Sequence, residues 1–513
     1  MDETRRKFLK ASACGLTGAA MLASVDKFNL VNAMMQDQQP DVASDYRALV
    51  CIFLSGGSDC NNMVIPFDDY TVTGGGTTNG YDNVRTGSGL AVLKSQLANT
   101  KITPSNTSGV SYAFHPNLSP EANNVGQAKG LMDVWNAGKL AVLCNVGSLV
   151  QPITRAQYSA GIGRPYQLFS HSDQVNQQQT SIANTTGQTG WGGRVADKTN
   201  SLNGVVALPM NISLAGTSLF STGVNSRQLA ISAAPTTLAN LLVLNWNGPA
   251  VTNPNTNGSS FRAVLGFDQS SSVLIKGASD TTNQALTADA SLNQPDPILT
   301  AVFPNTSLGN QLKQIAKLIK IKDAVGITMK RQIFFCSVGG YDTHTNETGN
   351  DPTNPGGQGA QSGTQGGLLT QLSQAMRAFY DEMLAQGLSN SVTTFTLSDF
   401  GRTLQPSGSG ATSVGTDHAW GSHAFIMGGS VLGGAFYGSL RPNNTGLPYG
   451  YPALQLGGPD DTNSNRGQWI PTTSIDQYAA TLANWYGLST VDRATVFPNL
   501  FKFATPNLGF LAP

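Results

Sequence analysis

Charged side chains are scarce in this sequence. Asp, Glu, Lys and Arg make up 12% of its 513 residues, whereas about 25% is usual for globular proteins. The formal net charge is zero, and no block of Lys or Arg follows the N-terminal segment, so the electrostatic footprint of a nucleic-acid-binding protein is missing. No later apolar run is long enough to cross a membrane. We therefore expect no nucleic-acid partner and no membrane span in the mature chain.

Cysteine is also rare, with five residues in the whole chain. Cys51, Cys144 and Cys336 lie inside apolar runs that are typical of core strands. Free Cys is among the most buried residue types, and the spacing shows no compact cysteine framework. Buried thiols are therefore favoured over disulfide bonds.

The N-terminal segment has the features of a twin-arginine signal peptide. Residues 4–10 are Thr-Arg-Arg-Lys-Phe-Leu-Lys, and a weakly apolar stretch follows from Ala11 to Ala23. This stretch is too short to span a bilayer comfortably, and Val31-Asn32-Ala33 provides a small-residue cleavage site. We expect residues 1–33 to be recognised by the twin-arginine translocase and residues 34–513 to be exported to the periplasm or beyond the cell.

Short, continuous apolar runs predict the fold class. Four runs rich in β-formers, 48–54, 140–146, 332–338 and 392–397, are typical of strands covered on both faces of a parallel sheet. Segments with helical period lie between them, notably 312–329 and 368–384. The pattern predicts an α/β fold with a central, mostly parallel sheet, helices on both faces and long surface loops at 71–78, 252–260 and 346–366.

Polar residues follow the predicted strands where ligand sites of open α/β sheets lie, outside the carboxyl ends of the strands. Asp59 follows the first run, Asp342 and His344 follow the third, and the fourth is followed by Asp399, Arg402, Asp417, His418 and His423. Carboxylate and imidazole groups together are the donors that a divalent transition metal needs. A lone loop histidine is usually a satisfied polar side chain, but the chain has only five histidines, and three of them in these loops favour a metal site.

Several segments spread along the chain resemble one protein family. They are Phe53-Leu54-Ser55-Gly56-Gly57-Ser58-Asp59, Phe114-His115-Pro116, Ser170-His171, Gly190-Trp191-Gly192-Gly193-Arg194, Gly340-Tyr341-Asp342-Thr343-His344, Ser398-Asp399-Phe400-Gly401-Arg402 and Gly415-Thr416-Asp417-His418. On these residues the chain resembles the exported bacterial family known as domain of unknown function 1501, which is grouped with the alkaline phosphatase and sulfatase superfamily. The resemblance implies a single alkaline-phosphatase-like domain over residues 34–513.

The resemblance also implies a ligand set for zinc or manganese. One ion would be held by Asp59, Asp417 and His418, and a second by Asp342, His344 and His423. The spacing of Asp342 and His344 is shorter than in well-characterised phosphatases, which leaves the second site open to alteration or loss. Asp399 is expected as an additional ligand or as a carboxylate behind the ligands.

Three further residues are candidates for catalysis. Ser170 is the candidate nucleophile, because helix N-terminal N–H groups and a metal would favour its alkoxide; capping of the helix is the open alternative. His171 would stabilise a leaving group or orient the loop. Arg402 would bind an anionic substrate oxygen or form an ion pair with Asp399. No segment matches the sulfatase motif in which a cysteine becomes formylglycine, so a sulfatase of the usual kind is disfavoured.

Two classes of function remain open at this point. The first is a secreted, metal-dependent hydrolase of phosphate or related esters, acting on an unknown ester or polysaccharide-type substrate. The second is a non-catalytic secreted binding or surface-matrix protein on the same scaffold, since a fold alone does not imply catalysis.

The twin-arginine assignment predicts that replacing Arg5 and Arg6 together with Lys leaves unprocessed precursor in the cytoplasm, because the translocase recognises the arginine pair. Immunoblots of cell fractions measure this, and Lys10→Arg, which leaves the pair intact, is the control. Efficient secretion of the double variant would contradict the assignment.

Overall fold

A computed structural model describes residues 42–71, 80–119, 130–241, 272–348, 363–407, 414–442 and 446–512. The predicted signal peptide lies outside the described residues, as do most of the Gly- and Asn-rich segments predicted to be surface loops. Residues Ser44–Pro513 form one compact unit.

The strands include the four that the apolar runs predict. In chain order they are β1 Arg47–Leu54, β2 Val64–Pro66, β3 Lys101–Ile102, β4 Tyr112–Phe114, β5 Leu140–Gly147, β6 Asn211–Ser213, β7 Gln228–Ala230, β8 Arg331–Val338, β9 Val392–Ser398, β10 Arg402–Ser407, β11 Gly415–His418, β12 Ser422–Met427, β13 Phe436–Tyr437 and β14 Thr473–Ser474. The α-helices are α1 Cys60–Met63, α2 Tyr81–Arg85, α3 Leu131–Asn136, α4 Arg155–Ser159, α5 His171–Thr180, α6 Trp191–Thr199, α7 Val273–Leu292, α8 Ser307–Lys320, α9 Thr364–Ala385, α10 Ile475–Tyr486 and α11 Arg493–Val496.

The central sheet has nine strands in the order β13-β5-β12-β9-β1-β8-β6-β7, with β14 also paired to β5. β1 is parallel to β8 and β9, and β6 is parallel to β7 and β8. β12 runs antiparallel to its neighbours β5 and β9. The prediction of a mostly parallel central sheet is therefore confirmed.

Helices cover both faces of this sheet. Along β1, Ile52 packs into one hydrophobic core with Phe379 of α9, while Phe53 packs into the other with Trp191 of α6 and Tyr478 of α10. Successive side chains of a strand point to opposite faces of the sheet. A strand that is apolar at every position must therefore be packed against other elements on both faces. This explains why the sequence of β1 is continuously apolar rather than alternating.

The helix predicted over 312–329 begins before residue 312 and ends well before residue 329 in the structure. α8 begins at Ser307 and ends at Lys320. Ile327 and Met329, which extended the apolar pattern, are buried in the core, but Gly326 and Thr328 between Lys320 and β8 have φ angles of 81° and 42°. A right-handed helix cannot contain such residues. Among the described helices, none combines the length and apolar character needed to cross a bilayer.

Parallel pairing brings three strand ends to one edge. Leu54, the last residue of β1, is in register with Val338 of β8 and with Ser398 of β9. The loops that follow these strands therefore begin side by side, and the polar residues in them are brought to the same edge of the sheet.

The prediction of buried thiols is confirmed for the described cysteines. Cys51, Cys60, Cys144 and Cys336 are free and buried. Burial raises the pKa of all four thiols, that of Cys60 to about 12. Thiolate, the reactive form, is therefore rare as well as inaccessible.

We expect the native protein without residues 1–33 to leave Ellman's reagent essentially unreacted and to release four thiols per chain in guanidinium chloride. The same sample measured before and after denaturation serves as its own control. Thiols that appear only after addition of a reductant would reveal a disulfide and contradict the assignment.

Candidate metal centre

The loops after β1 and β8 touch at a glycine. Gly56 has a φ angle of 120°, and a Cβ atom there would collide with the backbone of Asp342. Its N–H donates to Asp399 Oδ1 after β9, at 3.1 Å. Only glycine combines this conformation with such a close approach, so Gly56 allows all three loops to meet.

Three histidines in this region share one hydrogen-bonding pattern. Each places its Nδ1 atom against one oxygen: His171 lies 2.8 Å from Asp399 Oδ2, His344 lies 3.2 Å from Asp417 Oδ1, and His418 lies 2.8 Å from the carbonyl oxygen of Phe169. Because a carbonyl or carboxylate oxygen accepts, Nδ1 is the protonated nitrogen of each ring. In the neutral imidazole this leaves a lone pair on Nε2.

The three Nε2 atoms surround the carboxylate of Asp342. His344 and His418 approach its Oδ1 at 3.1 and 3.4 Å, and His171 approaches its Oδ2 at 3.5 Å. The Nε2 atoms of His344 and His418 lie 3.0 Å apart. Ligand atoms of His171, Asp342 and His418 all lie within 4.8 Å of one another.

The donor set fits a divalent metal ion. Tetrahedral zinc with bonds of about 2.0–2.1 Å places its ligand atoms about 3.3 Å apart, close to the separations between these nitrogens and oxygens. His171 Nε2 is buried and has no hydrogen-bond partner among the described residues, and two lone pairs facing each other repel unless a cation or proton lies between them. A histidine whose Nδ1 is held by an oxygen acceptor is also the usual form of a metal ligand.

Asp417 and Asp399 lie behind the histidines. The two oxygens of Asp417 are engaged by His344 and, as an ion pair, by Arg466. Burial opposes ionisation of Asp417, but the interactions with Arg466 and His344 together outweigh it and lower the carboxyl pKa. Asp399 is almost completely buried, which raises its pKa. In this geometry Asp399 orients the ring of His171, and Asp417 orients the ring of His344.

Arg402 pairs with Asp342, which corrects the expected alternative of an ion pair with Asp399. Its guanidinium is fully buried and forms an ion pair with Asp342 Oδ1. Burial opposes ionisation of Asp342, but the interactions with Arg402 and the neighbouring His344 and His171 together outweigh it and lower its pKa. The guanidinium also donates to four backbone carbonyl oxygens around it, so the side chain is fixed and holds Asp342 in place.

Asp59 forms a buried ion pair inside the core. Its carboxylate binds Arg85 through two contacts, Nη1 to Oδ2 at 2.5 Å and Nη2 to Oδ1 at 3.1 Å, and both side chains are fully buried. Asp59 Oδ1 also accepts from Asn61 N at the start of α1. The structure therefore does not bring Asp59 into the histidine group.

His423 is also separate from the histidine group. It is buried on β12, its Nδ1 accepts from Asn145 N at 3.0 Å, and its ring stacks on Tyr451 with centroids 5.0 Å apart. Burial lowers its pKa to about 3. His115 lies elsewhere in the chain, where its Nδ1 accepts from Asn117 N.

Ser170 lies next to the histidine group. It occupies the N-cap position of α5, but its hydroxyl makes no capping bond to the backbone and donates instead to Asp173 Oδ2 at 2.6 Å. The preceding Phe169 has a φ angle of 70°, a strained conformation for a side chain of this size. That conformation accompanies the contact of its carbonyl oxygen with His418.

Sequence reasoning missed Arg466 and the carbonyl oxygen of Phe169. Arg466 lies in an irregular Asn- and Ser-containing segment, and no strand end or motif indicates that it approaches Asp417. A backbone carbonyl leaves no trace in side-chain patterns. The placement of His171 was predicted next to the site, but not its membership of the ligand group.

Fold and site together define an α/β protein with a candidate His/Asp metal centre at the carboxyl edge of its sheet. Residues 326–444 match the family model described as "Protein of unknown function (DUF1501)", which confirms the resemblance predicted from the sequence. The matched segment contains Asp342, His344, Asp417 and His418. No curated protein matches the chain.

Solved structures show only distant likeness. Ps i-CgsB in complex with k-i-k-neocarrahexaose is 8% identical with a TM-score of 0.31, over 90% of this chain and 78% of that chain. The PsFucS1 sulfatase from Pseudoalteromonas sp. is 10% identical with a TM-score of 0.22, over 79% and 66% of the two chains. A mutant of alkaline phosphatase PafA is 11% identical with a TM-score of 0.23, over 70% and 64%. Similarity at this level carries no argument about activity.

The burial of His423 predicts a specific loss of stability in acid. Below about pH 6.5 the unfolded chain protonates this ring, while the folded ring stays neutral down to about pH 3. The stability conferred by the neutral ring is therefore complete above the unfolded pKa and is lost as the pH falls, by up to about 1.4 kcal/mol per pH unit. Between pH 7 and pH 5, we expect the free energy of unfolding to fall by about 2 kcal/mol less in His423→Asn than in wild type. Urea unfolding in the presence of a chelator measures the difference, and parallel pH profiles would contradict it.

Proposed function

We propose that this protein is an exported, metal-dependent hydrolase of phosphate or related esters. The observation that carries the proposal is the shared arrangement of His171, His344 and His418, in which each Nδ1 faces an oxygen acceptor and each Nε2 faces Asp342. His171, His418 and Asp342 would hold the ion, with His344 as a further donor. A set of imidazoles and one carboxylate at these separations favours zinc.

A bound divalent ion would polarise the ester oxygen and stabilise the negative charge that develops there during hydrolysis. The contribution of the protein is to hold its donors in place before substrate arrives. Asp399 and Asp417 fix the rings of His171 and His344, and buried Arg402 fixes Asp342. Such support keeps a ligand set within the narrow geometry that catalysis needs.

The open face of the site is compatible with an anionic substrate. The carboxylates of Asp173, Asp342, Asp399 and Asp417 exceed the guanidinium groups of Arg402 and Arg466 by two negative charges, which a divalent ion would balance. Asp342 and His344 are about half exposed, so a phosphate ester would reach the ion itself from solvent.

Ser170 is the candidate nucleophile under this proposal. It lies between Phe169, whose carbonyl oxygen contacts His418, and His171 itself. Its hydroxyl already donates to Asp173, so a carboxylate is in place to accept the proton as Ser170 Oγ bonds to phosphorus and the P–O bond to the departing alcohol breaks. Water would then release phosphate from the serine. The same serine lies at the start of α5, where backbone N–H groups favour negative charge.

The proposal keeps the twin-arginine translocase as the export partner and the periplasm or extracellular space as the location. A protein that crosses the membrane already folded can acquire its ion in the cytoplasm. It then avoids competition from ions outside that bind such sites more tightly.

The proposal predicts a graded loss of metal. We expect wild type to hold a divalent ion, His171→Ala, His418→Ala and Asp342→Asn to lose most of it, and Asp399→Asn and Asp417→Asn to weaken affinity about 10- to 100-fold. Elemental analysis and zinc titration of folded samples measure this, with the exposed surface carboxylate variant Asp280→Asn as the control. Hydrolysis of an aryl phosphate should fall with metal content and exceed hydrolysis of the matching sulfate.

A wild-type protein without metal, or equal metal content in all variants, would contradict the site. A metal-loaded protein that hydrolyses no phosphate, phosphonate or sulfate ester would support the metal site but contradict the proposed hydrolase activity. That outcome favours the non-catalytic binding protein.

A further inference from the structure

We propose that Glu347 is the positioning residue of the metal centre, holding the Asp342–His344 segment against β11 through the hydroxyl groups of Thr343 and Thr416. The inference rests on the proposed function, because it concerns how the same site is held. Glu347 is fully buried and touches none of the proposed ligands in the contacts described.

Glu347 joins the two ligand-bearing segments through a single oxygen. Its Oε2 accepts from Thr343 Oγ1 at 3.0 Å and from Thr416 Oγ1 at 2.5 Å. Thr343 lies between Asp342 and His344, and Thr416 immediately precedes Asp417. One acceptor thus fixes the separation of the two segments.

The backbone reinforces this junction. Thr416 N donates to Thr343 O at 3.0 Å, and Glu347 N donates to Val414 O at 3.1 Å. Between them, Gly415 approaches the backbone of His344 so closely that a Cβ atom would collide with it. A small displacement at this junction would therefore move His344 relative to His418.

The surroundings of the remaining oxygen of Glu347 favour the neutral acid. Oε1 is buried and has no partner among the described residues when the acid is ionised, although the carboxylate of Asp59 interacts with the Glu347 side chain. Two carboxylates can bond only if one of them carries a proton. Because Arg85 makes two contacts with Asp59, Asp59 stays ionised and the proton belongs to Glu347. Burial, followed by the charge of Asp59, correspondingly raises the pKa of Glu347.

This assignment distinguishes two substitutions of the same residue. Gln has a carbonyl oxygen that can accept from both threonines and an N–H that can donate to Asp59, so Glu347→Gln preserves every contact of the neutral acid. Glu347→Ala removes the acceptor of both threonine hydroxyls and leaves these buried donors without it.

The test is a titration of the metal-free protein with Co²⁺ and Zn²⁺ alone. We expect Glu347→Gln to keep the wild-type affinity within about twofold and the wild-type visible spectrum of bound Co²⁺. We expect Glu347→Ala to weaken affinity about 10- to 100-fold and to change that spectrum, as supporting groups behind metal ligands do. Glu382→Ala removes another fully buried glutamate, which accepts from the backbone of residues 300 and 301 in α9 packing. It should lower stability without changing the metal site.

Thr343→Val and Thr416→Val keep the glutamate and remove one donor each, so they test the junction if Glu347→Ala fails to fold. Each should weaken Co²⁺ binding and alter its spectrum. Wild-type affinity in both valine variants, or a loss in Glu347→Gln equal to that in Glu347→Ala, would overturn the proposal.

Failure of the proposed function is separable from failure of this inference. If the wild type binds neither ion, the metal centre fails, and the ¹⁵N chemical shifts of the His344 and His418 rings in the metal-free protein test the junction instead. Unchanged ring shifts in Glu347→Gln and changed shifts in Glu347→Ala support it. Identical shifts in all three proteins overturn it.

Discussion

The guanidinium of Arg402 is completely buried at the carboxyl edge of the sheet. It donates to four carbonyl oxygens, those of Gly56, Gly57, Tyr341 and Thr416, at 3.0–3.2 Å, and it forms an ion pair with Asp342. A buried charge is stable only when all its donors are satisfied. The loops after β1 and β8 and the strand β11 must therefore remain around Arg402, and the position of Asp342 follows from that constraint.

A second buried cation continues the same arrangement. Arg85 binds Asp59 and donates to the carbonyl oxygens of Thr403 and Leu404 on β10, both at 2.9 Å. Asp59 in turn interacts with Glu347. The aspartate after β1 thus stabilises the base of the site, where losing one partner of a buried ion pair typically costs about 3–5 kcal/mol.

The side chains of the candidate metal centre differ in how far they are exposed to solvent. The side chain of Asp399 is 2% exposed, whereas those of Asp342 and His344 are 47% and 43% exposed. Asp399, which orients the ring of His171, therefore lies in the protein interior, whereas the side chains of Asp342 and His344 are open to solvent. A site arranged in this way is rigid from behind and accessible in front, as binding of a small anionic group would require.

The sequence by itself determined the α/β class and the four main strands, because strands covered on both faces leave continuous apolar runs that need no tertiary information to recognise. It also located Asp342, His344 and His418, since residues after parallel strands meet at one edge of the sheet. Only the tertiary structure decided which carboxylates face the ligand group. Asp59 follows β1 as Asp342 follows β8, but its carboxylate is paired with Arg85 inside the core. Asp417 lies on β11, where its carboxylate is engaged by Arg466 and by Nδ1 of His344. The two arginines lie 26 and 49 residues away from their partners in the chain. His423 follows His418 by only five positions, yet β12 carries it into the core, because strand direction rather than spacing determines where a side chain lies.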